Sequence, residues 1–261
     1  MAAKAKSPPR IDHVALVTGA GGRIGATIAR RLASAGYKVV VHYRASADGA
    51  KAVKAEIERA GGQAALVKGD LANRKQRATI IEKAAAAFGP LTLLVNNAST
   101  FEPDAVADLD EALWDQHFGI HVEAPVFLAR DFAAQLPEGA QGNIVNIIDE
   151  RVLHTAPSFF SYTLSKSALW SATRTLAQSL APRIRVNAIG PGPTLPPPGE
   201  SDASFRATLQ SLPLQRAANP EEIAEGLLFI LAAPSMTGQM LALDGGQHIE
   251  WSPRRGPTPR R

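Results

Sequence analysis

Seven short apolar runs recur along the chain and are rich in valine, isoleucine and leucine. Successive side chains of a strand point to opposite faces of its sheet, so a strand that is apolar at successive positions is covered on both faces. The pattern therefore predicts parallel strands inside a layered α/β fold. The runs lie at residues 14–17, 38–42, 65–67, 91–95, 143–148, 185–188 and 240–243.

Longer segments with a helical period separate these runs. Regular alternation of strand and helix predicts a doubly wound, Rossmann-like three-layer fold with a seven-stranded parallel sheet. Residues 191–214 are rich in proline and predict an irregular loop that contains neither helix nor strand. The predicted helices span residues 24–35, 47–60, 74–88, 110–135, 161–180 and 220–232.

The composition of the chain fits a single globular domain. Of its 261 residues, 45% are hydrophobic and 20% are charged, which allows a full core. We predict one domain over residues 11–251, flanked by disordered basic tails at residues 1–10 and 252–261.

The net charge of +4 comes from the tails. They hold seven of the 28 basic residues and no acidic residue, which leaves 21 basic against 24 acidic residues between them. This mildly acidic remainder argues against nucleic-acid binding. The chain has no cysteine, hence no disulfide framework or thiolate metal site, and no apolar run approaches the roughly 18 residues of a membrane helix. We expect a cytoplasmic protein with no metal and no membrane partner.

A glycine-rich turn follows the first predicted strand. From Thr18 to Gly25 the sequence reads Thr-Gly-Ala-Gly-Gly-Arg-Ile-Gly and leads into the first predicted helix. Glycine allows the backbone to approach a pyrophosphate closely, and a helix N-terminus offers free N–H groups with partial positive charge. The turn after a strand and before a helix predicts a dinucleotide site rather than a plain connection.

The end of the second predicted strand indicates which dinucleotide binds. An acidic residue there would hold a ribose 2′-hydroxyl, but the chain offers Arg44 and Ser46, which can donate to a 2′-phosphate. NADP(H) is therefore predicted over NAD(H), with a solvated Arg44 as the alternative. Asp70, after the third predicted strand, is a candidate acceptor for the adenine amine or, alternatively, a helix cap.

Three ionisable side chains fall together at the end of the fifth predicted strand and on the fifth predicted helix. Tyr162 and Lys166 lie four residues apart on one helical face, and Asp149 ends the strand. A nearby ammonium lowers the pKa of a phenol from about 10, so Tyr162 is predicted to donate a proton. The alternatives are an ordinary helical pair for Tyr162 and Lys166 and a capping carboxylate for Asp149.

These motifs together resemble the short-chain dehydrogenase/reductase family between residues 14 and 246. The glycine turn, Asn96-Asn97-Ala98, the Tyr162 and Lys166 pair, Pro191-Gly192 and Asp244-Gly245-Gly246 stand in the family's order and spacing. The resemblance implies an NADP(H)-dependent oxidoreductase. The cofactor contacts that it implies are Gly19, Arg23, Ile24, Tyr43, Arg44, Ser46, Asp70, Leu71, Asn97, Ala98, Tyr162, Lys166, Pro191 and Gly192.

Within that family the chain resembles the pteridine reductases and the bacterial dihydromonapterin reductases. Arg23 replaces the usual glycine and Asp149 the usual serine, as in pteridine reductases, and Phe101 matches the phenylalanine that stacks on their pterin. The resemblance implies Asp149, Tyr162 and Lys166 as catalytic residues. It implies substrate contacts by Arg23, Phe101, Asp149 and Tyr162. The alternatives are a solvated charge for Arg23 and a core position for Phe101.

The chemistry of Asp149 favours the same branch. An ionised carboxylate only accepts hydrogen bonds, whereas ketone reduction needs a neutral donor on the substrate oxygen. A pterin C=N bond takes a hydride on carbon and a proton on nitrogen, which a carboxylic acid and a phenol can supply together. Two alternatives stay open, a carbonyl reductase of the 3-oxoacyl thioester type and a catalytically silent nucleotide-binding regulatory protein.

Two further expectations come from the resemblance. His121 stands where the family has an asparagine that organises water toward the lysine, so it is either a relay that titrates near pH 6.5 or a satisfied buried histidine. Family members pair their long fourth and fifth helices, here residues 110–135 and 161–180. This implies a homotetramer that acts on a small-molecule substrate.

Overall fold

The strands of the computed structural model, which describes residues 13–197 and 199–249, form one parallel sheet. Its strand order is β3-β2-β1-β4-β5-β6-β7, which confirms the predicted doubly wound fold. Because the order reverses between β1 and β4, their carboxyl ends flank a crevice of the kind that binds ligands in such sheets. The strands are β1 Val14–Val17, β2 Lys38–Tyr43, β3 Ala64–Lys68, β4 Leu93–Asn96, β5 Gly142–Ile147, β6 Ile184–Pro191 and β7 Met240–Leu243.

Helices cover both faces of this sheet, and alternate strand residues feed two separate cores. Val17 and Val41 point to the face covered by α1, α2 and α9, whereas Leu16 and Val40 point to the face covered by α4 and α6. This arrangement explains why the strands carry apolar residues at successive positions. The helices are α1 Arg23–Ser34, α2 Ala47–Arg59, α3 Arg74–Arg77, α4 Ile80–Phe88, α5 Glu111–Phe118, α6 Ala124–Gln135, α7 Phe160–Leu180, α8 Asp202–Ser211 and α9 Pro220–Ala232.

Two predicted helices are interrupted. The segment 74–88 divides into α3 and α4, and the segment 110–135 contains a π-helix, Gly119–Glu123, between α5 and α6. Pro125 in the first turn of α6 lacks an N–H group, so the regular hydrogen-bond ladder cannot continue through it. The π-helix holds His121 in a buried position, and π-helical turns are frequent at functional sites.

The prediction of an irregular loop over residues 191–214 is wrong for its second half. Asp202–Ser211 forms α8, and the side chain of Ser201 caps it by accepting a hydrogen bond from Ser204 N at 3.2 Å. The prolines of the segment lie before this helix and after it, so they do not interrupt it. Ser201 is a favoured N-cap residue and could have indicated the start of this helix, but the proline-rich composition led to the prediction of a loop.

Several predictions concern residues beyond the described ranges. The two predicted tails and the outermost residues of the predicted domain 11–251 lie there, and the single-domain assignment stays a prediction. Across residues 13–197 and 199–249, no helix is both long and apolar enough to span a membrane. The same residues contain no group of three or more His, Asp or Glu side chains that could hold a metal ion.

The glycine turn packs tightly against the start of α1 and the segment after β4. A Cβ atom added at Gly25 would overlap Asn97 Nδ2 and would lie 2.5 Å from the carbonyl oxygen of Gly19. Gly22 has extended backbone, with φ of 178°, and an added Cβ there would meet nothing within 4 Å. The same turn therefore contains one tightly packed glycine, Gly25, and one glycine with open space beside it, Gly22, which serves as its control.

We predict that Gly25→Ala lowers the thermal unfolding midpoint and that Gly22→Ala leaves it nearly unchanged. Overpacking of this kind costs about 1 to 3 kcal/mol, which corresponds to about 2 to 4 °C per kcal/mol in a protein of this size. Circular dichroism during heating measures both midpoints. Equal midpoints for the two variants would contradict the packing described for Gly25.

Candidate active site

Thr18 joins the glycine turn to the segment after β4. Its Oγ1 accepts hydrogen bonds from Asn97 N at 2.9 Å and Ala98 N at 3.0 Å, and Asn97 Nδ2 donates to the Thr18 carbonyl at 2.9 Å. Gly19 has a positive φ of 64°, and a Cβ there would lie 2.8 Å from Ala98 Cα. Three predicted cofactor residues, Gly19, Asn97 and Ala98, therefore meet at the crevice.

His42 connects the same turn to the segment after β3. Its Nδ1 accepts a hydrogen bond from Gly19 N at 3.2 Å, and its Nε2 donates to the Gly69 carbonyl at 3.1 Å. Burial lowers the pKa of His42 to about 4, since protonation would charge a buried ring and remove the acceptor at Nδ1. No role for His42 beyond its strand was predicted from the sequence. A histidine at the end of a buried strand was the available signal.

The candidate residues for the 2′-phosphate keep their donors unengaged. Arg44 is exposed and makes no hydrogen bond or ion pair within the described parts of the chain. Ser46 precedes α2, but its side chain makes no capping hydrogen bond. Tyr43, at the end of β2, is half-buried beside them. The end of β2 thus presents free hydrogen-bond donors and no carboxylate.

Asp70 forms a local turn and does not cap a helix. Its Oδ1 accepts a hydrogen bond from Ala72 N at 3.0 Å, whereas the side chain that caps α3 is that of Asn73. The capping alternative for Asp70 is therefore wrong. Leu71 is buried next to it, and its carbonyl accepts from Arg77 Nη1 at 3.3 Å.

Pro191 and Gly192 end β6 against the C-terminal motif. Gly192 N donates to the Leu243 carbonyl at 3.0 Å, and a Cβ at Gly192 would lie 2.7 Å from Asp244 Cα. Asp244 in turn accepts from His248 Nδ1 at 2.6 Å. This close approach explains why glycine stands after Pro191.

Arg23 connects the glycine turn to the proline-rich segment through side-chain hydrogen bonds. Its guanidinium donates to the Leu195 carbonyl at 3.2 Å and to the Pro196 carbonyl at 3.1 Å, and the residue is exposed to solvent. Its backbone has a positive φ of 52°, a conformation that glycine adopts far more readily than arginine. Ile24 follows it in the first turn of α1.

Asp149 and Tyr162 form a direct hydrogen bond at the end of β5. Tyr162 Oη donates to Asp149 Oδ2 at 2.8 Å, and Asp149 Oδ1 accepts from Arg151 N at 2.9 Å. Lys166 Nζ donates to the Ile147 carbonyl at 3.0 Å and lies 5.6 Å from the centre of the Tyr162 ring. The three predicted catalytic side chains therefore lie together, with Asp149 between two donors.

Burial decides the charge states of this group. It raises the pKa of Asp149 above its usual range, and together with the neighbouring carboxylate it raises the pKa of Tyr162 well above 10. Burial lowers the pKa of Lys166 to about 8. The predicted lowering of the Tyr162 pKa by Lys166 is wrong in this structure. Tyr162 stays a neutral hydrogen-bond donor, and Asp149 is the acid whose pKa moves toward neutral pH.

Two histidine–serine pairs fix the position of Tyr162. His117 Nδ1 lies 2.7 Å from Ser161 Oγ, and His121 Nδ1 lies 2.8 Å from Ser165 Oγ. The two imidazole rings stack with centres 5.5 Å apart, and both meet the Tyr162 ring edge to face at 5.9 and 5.3 Å. His117 was not predicted from the sequence, because its partner Ser161 is 44 residues away.

His121 is a satisfied buried histidine. Its Nε2 accepts a hydrogen bond from Thr100 N at 3.3 Å, so the proton lies on Nδ1 and is donated to Ser165 Oγ. Burial lowers the pKa of His121 well below 6.5, which contradicts the expected titration near that pH. Within the described residues no hydrogen bond joins His121 to Lys166, so the geometry does not support a direct relay between them.

Phe101 belongs to an aromatic row beside Tyr162 and not to the buried core. Its ring lies edge to face with Tyr162 at 4.8 Å and stacks on Phe159 at 4.1 Å. Phe159 has a positive φ of 56°, which is unusual for a bulky residue. The guanidinium of Arg151 lies over both phenylalanine rings. Phe159 and Arg151, which were not predicted from the sequence, are neighbours of the candidate substrate residue Phe101.

The chain resembles known reductases over nearly its whole length. The model of the short chain dehydrogenase family matches residues 13–204. A short-chain type dehydrogenase/reductase of Picea abies is 32% identical over 249 residues, 90% of this chain and 92% of that protein. A granaticin polyketide synthase putative ketoacyl reductase 2 of Streptomyces violaceoruber is 32% identical over 244 residues, 90% of this chain and 96% of that protein.

One solved structure is more similar in sequence to this chain than these two relatives are. The crystal structure of FolM alternative dihydrofolate reductase 1 from Brucella suis, in complex with NADP, is 49% identical. It superposes with a TM-score of 0.90 and covers 93% of this chain and 97% of its own.

We predict that stability falls between about pH 6.5 and pH 4 and that His42→Asn removes part of this fall. The folded-state pKa of His42 is about 4, below its unfolded value of about 6.5. The unfolded chain therefore binds a proton first as the pH falls, which costs the folded state about 2 to 3 kcal/mol at the acid end. Asparagine keeps an acceptor for Gly19 N but does not titrate.

Urea unfolding at about pH 7 and about pH 4.5 measures this effect in both proteins. The buried histidines at positions 117 and 121 contribute equally to each and cancel in the comparison. If both proteins lose the same free energy of unfolding on acidification, His42 does not link the glycine turn to Gly69 in the manner described.

Proposed function

The chain belongs to the short-chain dehydrogenase family and is an oxidoreductase, and we propose that it transfers a hydride from NADPH to a C=N bond of a pterin-like heterocycle. The observation that carries the proposal is the partly buried hydrogen bond from Tyr162 to Asp149. It places a carboxyl with a raised pKa beside a neutral phenol. The similarity to the NADP-bound Brucella dihydrofolate reductase supports the same class of substrate.

The residues at the crevice suit NADP(H). A Cβ added at Gly22 would meet nothing within 4 Å, so the turn leaves its backbone open to a pyrophosphate at the start of α1. We assign Gly19, Arg23 and Ile24 to the pyrophosphate, Arg44 and Ser46 with Tyr43 to the 2′-phosphate, and Asp70 and Leu71 to the adenine. The nicotinamide half is assigned to Asn97, Ala98, Tyr162, Lys166, Pro191 and Gly192. When bound, the cofactor supplies the hydride.

Lys166 is suited to hold a ribose. Its ammonium donates one hydrogen bond, to the Ile147 carbonyl, and has further N–H groups for sugar hydroxyls. Its pKa of about 8 leaves it mostly charged at neutral pH. In this proposal Lys166 positions the cofactor, and it does not convert Tyr162 into a phenolate.

Asp149 and Tyr162 act as one acid. Protonated Asp149 and neutral Tyr162 share a hydrogen bond, so the pair can release a single proton to the ring nitrogen while hydride reaches the adjacent carbon. Phe101 offers a flat surface beside Tyr162 for the heterocycle. Arg23 lies at the same end of the sheet, where the residues that it binds, Leu195 and Pro196, cover the turn.

Carbonyl reduction is the second candidate. The Streptomyces relative is named as a putative ketoacyl reductase, which favours a 3-oxoacyl thioester as substrate. Against it, carbonyl reduction would leave the raised pKa of Asp149 without an assigned role, since neutral Tyr162 alone can donate to a carbonyl oxygen. A third candidate, a nucleotide-binding regulatory protein without activity, would leave the Asp149 and Tyr162 pair without use.

The assembly and location are proposals of the same kind. We propose a homotetramer in which copies pair through the α6 and α7 faces, where Phe127 and Leu164 are exposed apolar side chains. A cytoplasmic location and a small-molecule substrate complete the proposal, without nucleic-acid or membrane partners.

We expect Asp149→Asn to reduce kcat for a dihydropterin by about 100-fold or more, because general acid catalysis contributes about 10² to 10⁴. In the unaltered enzyme kcat should fall as pH rises through the raised pKa of Asp149, since only the protonated carboxyl donates. Steady-state assays across pH measure both effects, with the exposed Asp115→Asn as control. Turnover by Asp149→Asn at the unaltered rate would remove Asp149 from the mechanism.

Arg44→Ala should weaken NADPH binding by about 10- to 100-fold and leave NADH binding nearly unchanged. The arginine is assigned to the 2′-phosphate alone, and one hydrogen bond to a charged group contributes about 1.5 to 3 kcal/mol. Fluorescence titration of each cofactor gives both dissociation constants. Equal weakening for the two cofactors would show that Arg44 does not read the 2′-phosphate.

A further inference from the structure

We propose that Arg151 forms a binding site for a carboxylate on the side chain of the substrate. The inference rests on the proposed function and deepens it, because it selects pteridines that carry an acidic side chain. Arg151 lies in the short 3-10 helix Glu150–Val152, directly after Asp149. Its backbone N–H orients the Asp149 carboxylate, and its side chain extends over the aromatic row.

The guanidinium of Arg151 is held in place without an anionic partner. Its Cζ lies 5.0 Å from the centre of the Phe159 ring and 5.9 Å from that of Phe101. It makes no hydrogen bond or ion pair with another side chain of the described residues. By contrast, Arg23 and Arg185 direct their N–H groups to carbonyl oxygens. Ring faces hold the plane of a guanidinium but leave its N–H edge free for a ligand.

The position of this cation matches a ligand that reacts at Tyr162. The charge of Arg151 partly offsets the desolvation that raises the pKa values of Asp149 and Tyr162, so the cation acts on the reacting groups. Phe101 contacts Tyr162 at 4.8 Å and Phe159 at 4.1 Å, and Arg151 lies over these phenylalanines. A heterocycle beside Tyr162 and Phe101 would therefore have the cation within reach of its side chain.

The backbone conformation of Phe159 indicates that its ring is held in a fixed position beside Arg151. Its left-handed φ of 56° costs free energy in a bulky residue and persists only where its surroundings hold it. Asp104 does so, since its carboxylate accepts from Ser161 N at 3.1 Å and its carbonyl accepts from Phe160 N at 3.2 Å. The start of α7 is thus fixed in the form that places the Phe159 ring under Arg151.

A carboxylate is the group that this arrangement would recognise. A guanidinium presents a planar fork of N–H donors that matches the two oxygens of a carboxylate. Arg151 is half-buried, which reduces screening of such a pair by water. Dihydrofolate, whose side chain ends in glutamate, should be favoured over dihydrobiopterin, whose side chain carries only hydroxyl groups.

The test compares kcat/KM for dihydrofolate and dihydrobiopterin in the unaltered enzyme, Arg151→Met and Arg151→Lys. The informative quantity is kcat/KM for dihydrofolate divided by kcat/KM for dihydrobiopterin. We expect Arg151→Met to lower this ratio by about 10- to 100-fold, mainly by raising KM for dihydrofolate. The ratio cancels any change that acts on both substrates through the pKa of Asp149. Arg151→Lys keeps the charge and should restore part of the ratio.

Arg174→Met is the matched control, because Arg174 is exposed and lies 5.1 Å over Trp170, a ring outside the candidate site. It should leave the ratio unchanged. An unchanged ratio in Arg151→Met would overturn the carboxylate site while the turnover of dihydrobiopterin upholds the proposed function. If the unaltered enzyme reduces neither pterin, the proposed function fails and this inference fails with it.

Discussion

The hydrogen bond between Tyr162 and Asp149 is the interaction on which the rest of the site depends. Tyr162 is buried and Asp149 is half-buried, so desolvation raises both pKa values and disfavours the ionised forms. Lys166 does not reverse this effect, because its ammonium is itself desolvated and is directed to the Ile147 carbonyl. The pair therefore forms a reservoir for one proton, which suits protonation of a ring nitrogen.

The surrounding helices and strands position Asp149 and Tyr162 relative to each other. β5 delivers Asp149 at its end, and α7 delivers Tyr162 in its first turn. Imidazole rings at positions 117 and 121 join α5 and the π-helix to the serines that flank Tyr162 on α7. Neutral histidines serve this purpose well, since a buried charge beside Tyr162 would alter the pKa of the pair.

Local patterns in the sequence predicted the sheet, the glycine turn and the members of the site. These features depend on neighbouring residues, such as the apolar runs of the strands and the four-residue spacing of Tyr162 and Lys166. The contacts of His42 with Gly69 and of Arg23 with Leu195 join residues far apart in the chain, so no local pattern indicates them. The pKa direction of Tyr162 was missed for a related reason, because burial outweighed the nearby ammonium.

One comparison of substrates decides whether the Asp149 and Tyr162 pair serves a C=N bond or a carbonyl. NADPH consumption by the unaltered enzyme would be followed with dihydrobiopterin and, separately, with an acetoacetyl thioester. We expect turnover of the pterin and little or none of the thioester. Turnover of the thioester alone would contradict this expectation and would establish a carbonyl reductase, in which Asp149 and Phe101 lose their assigned roles.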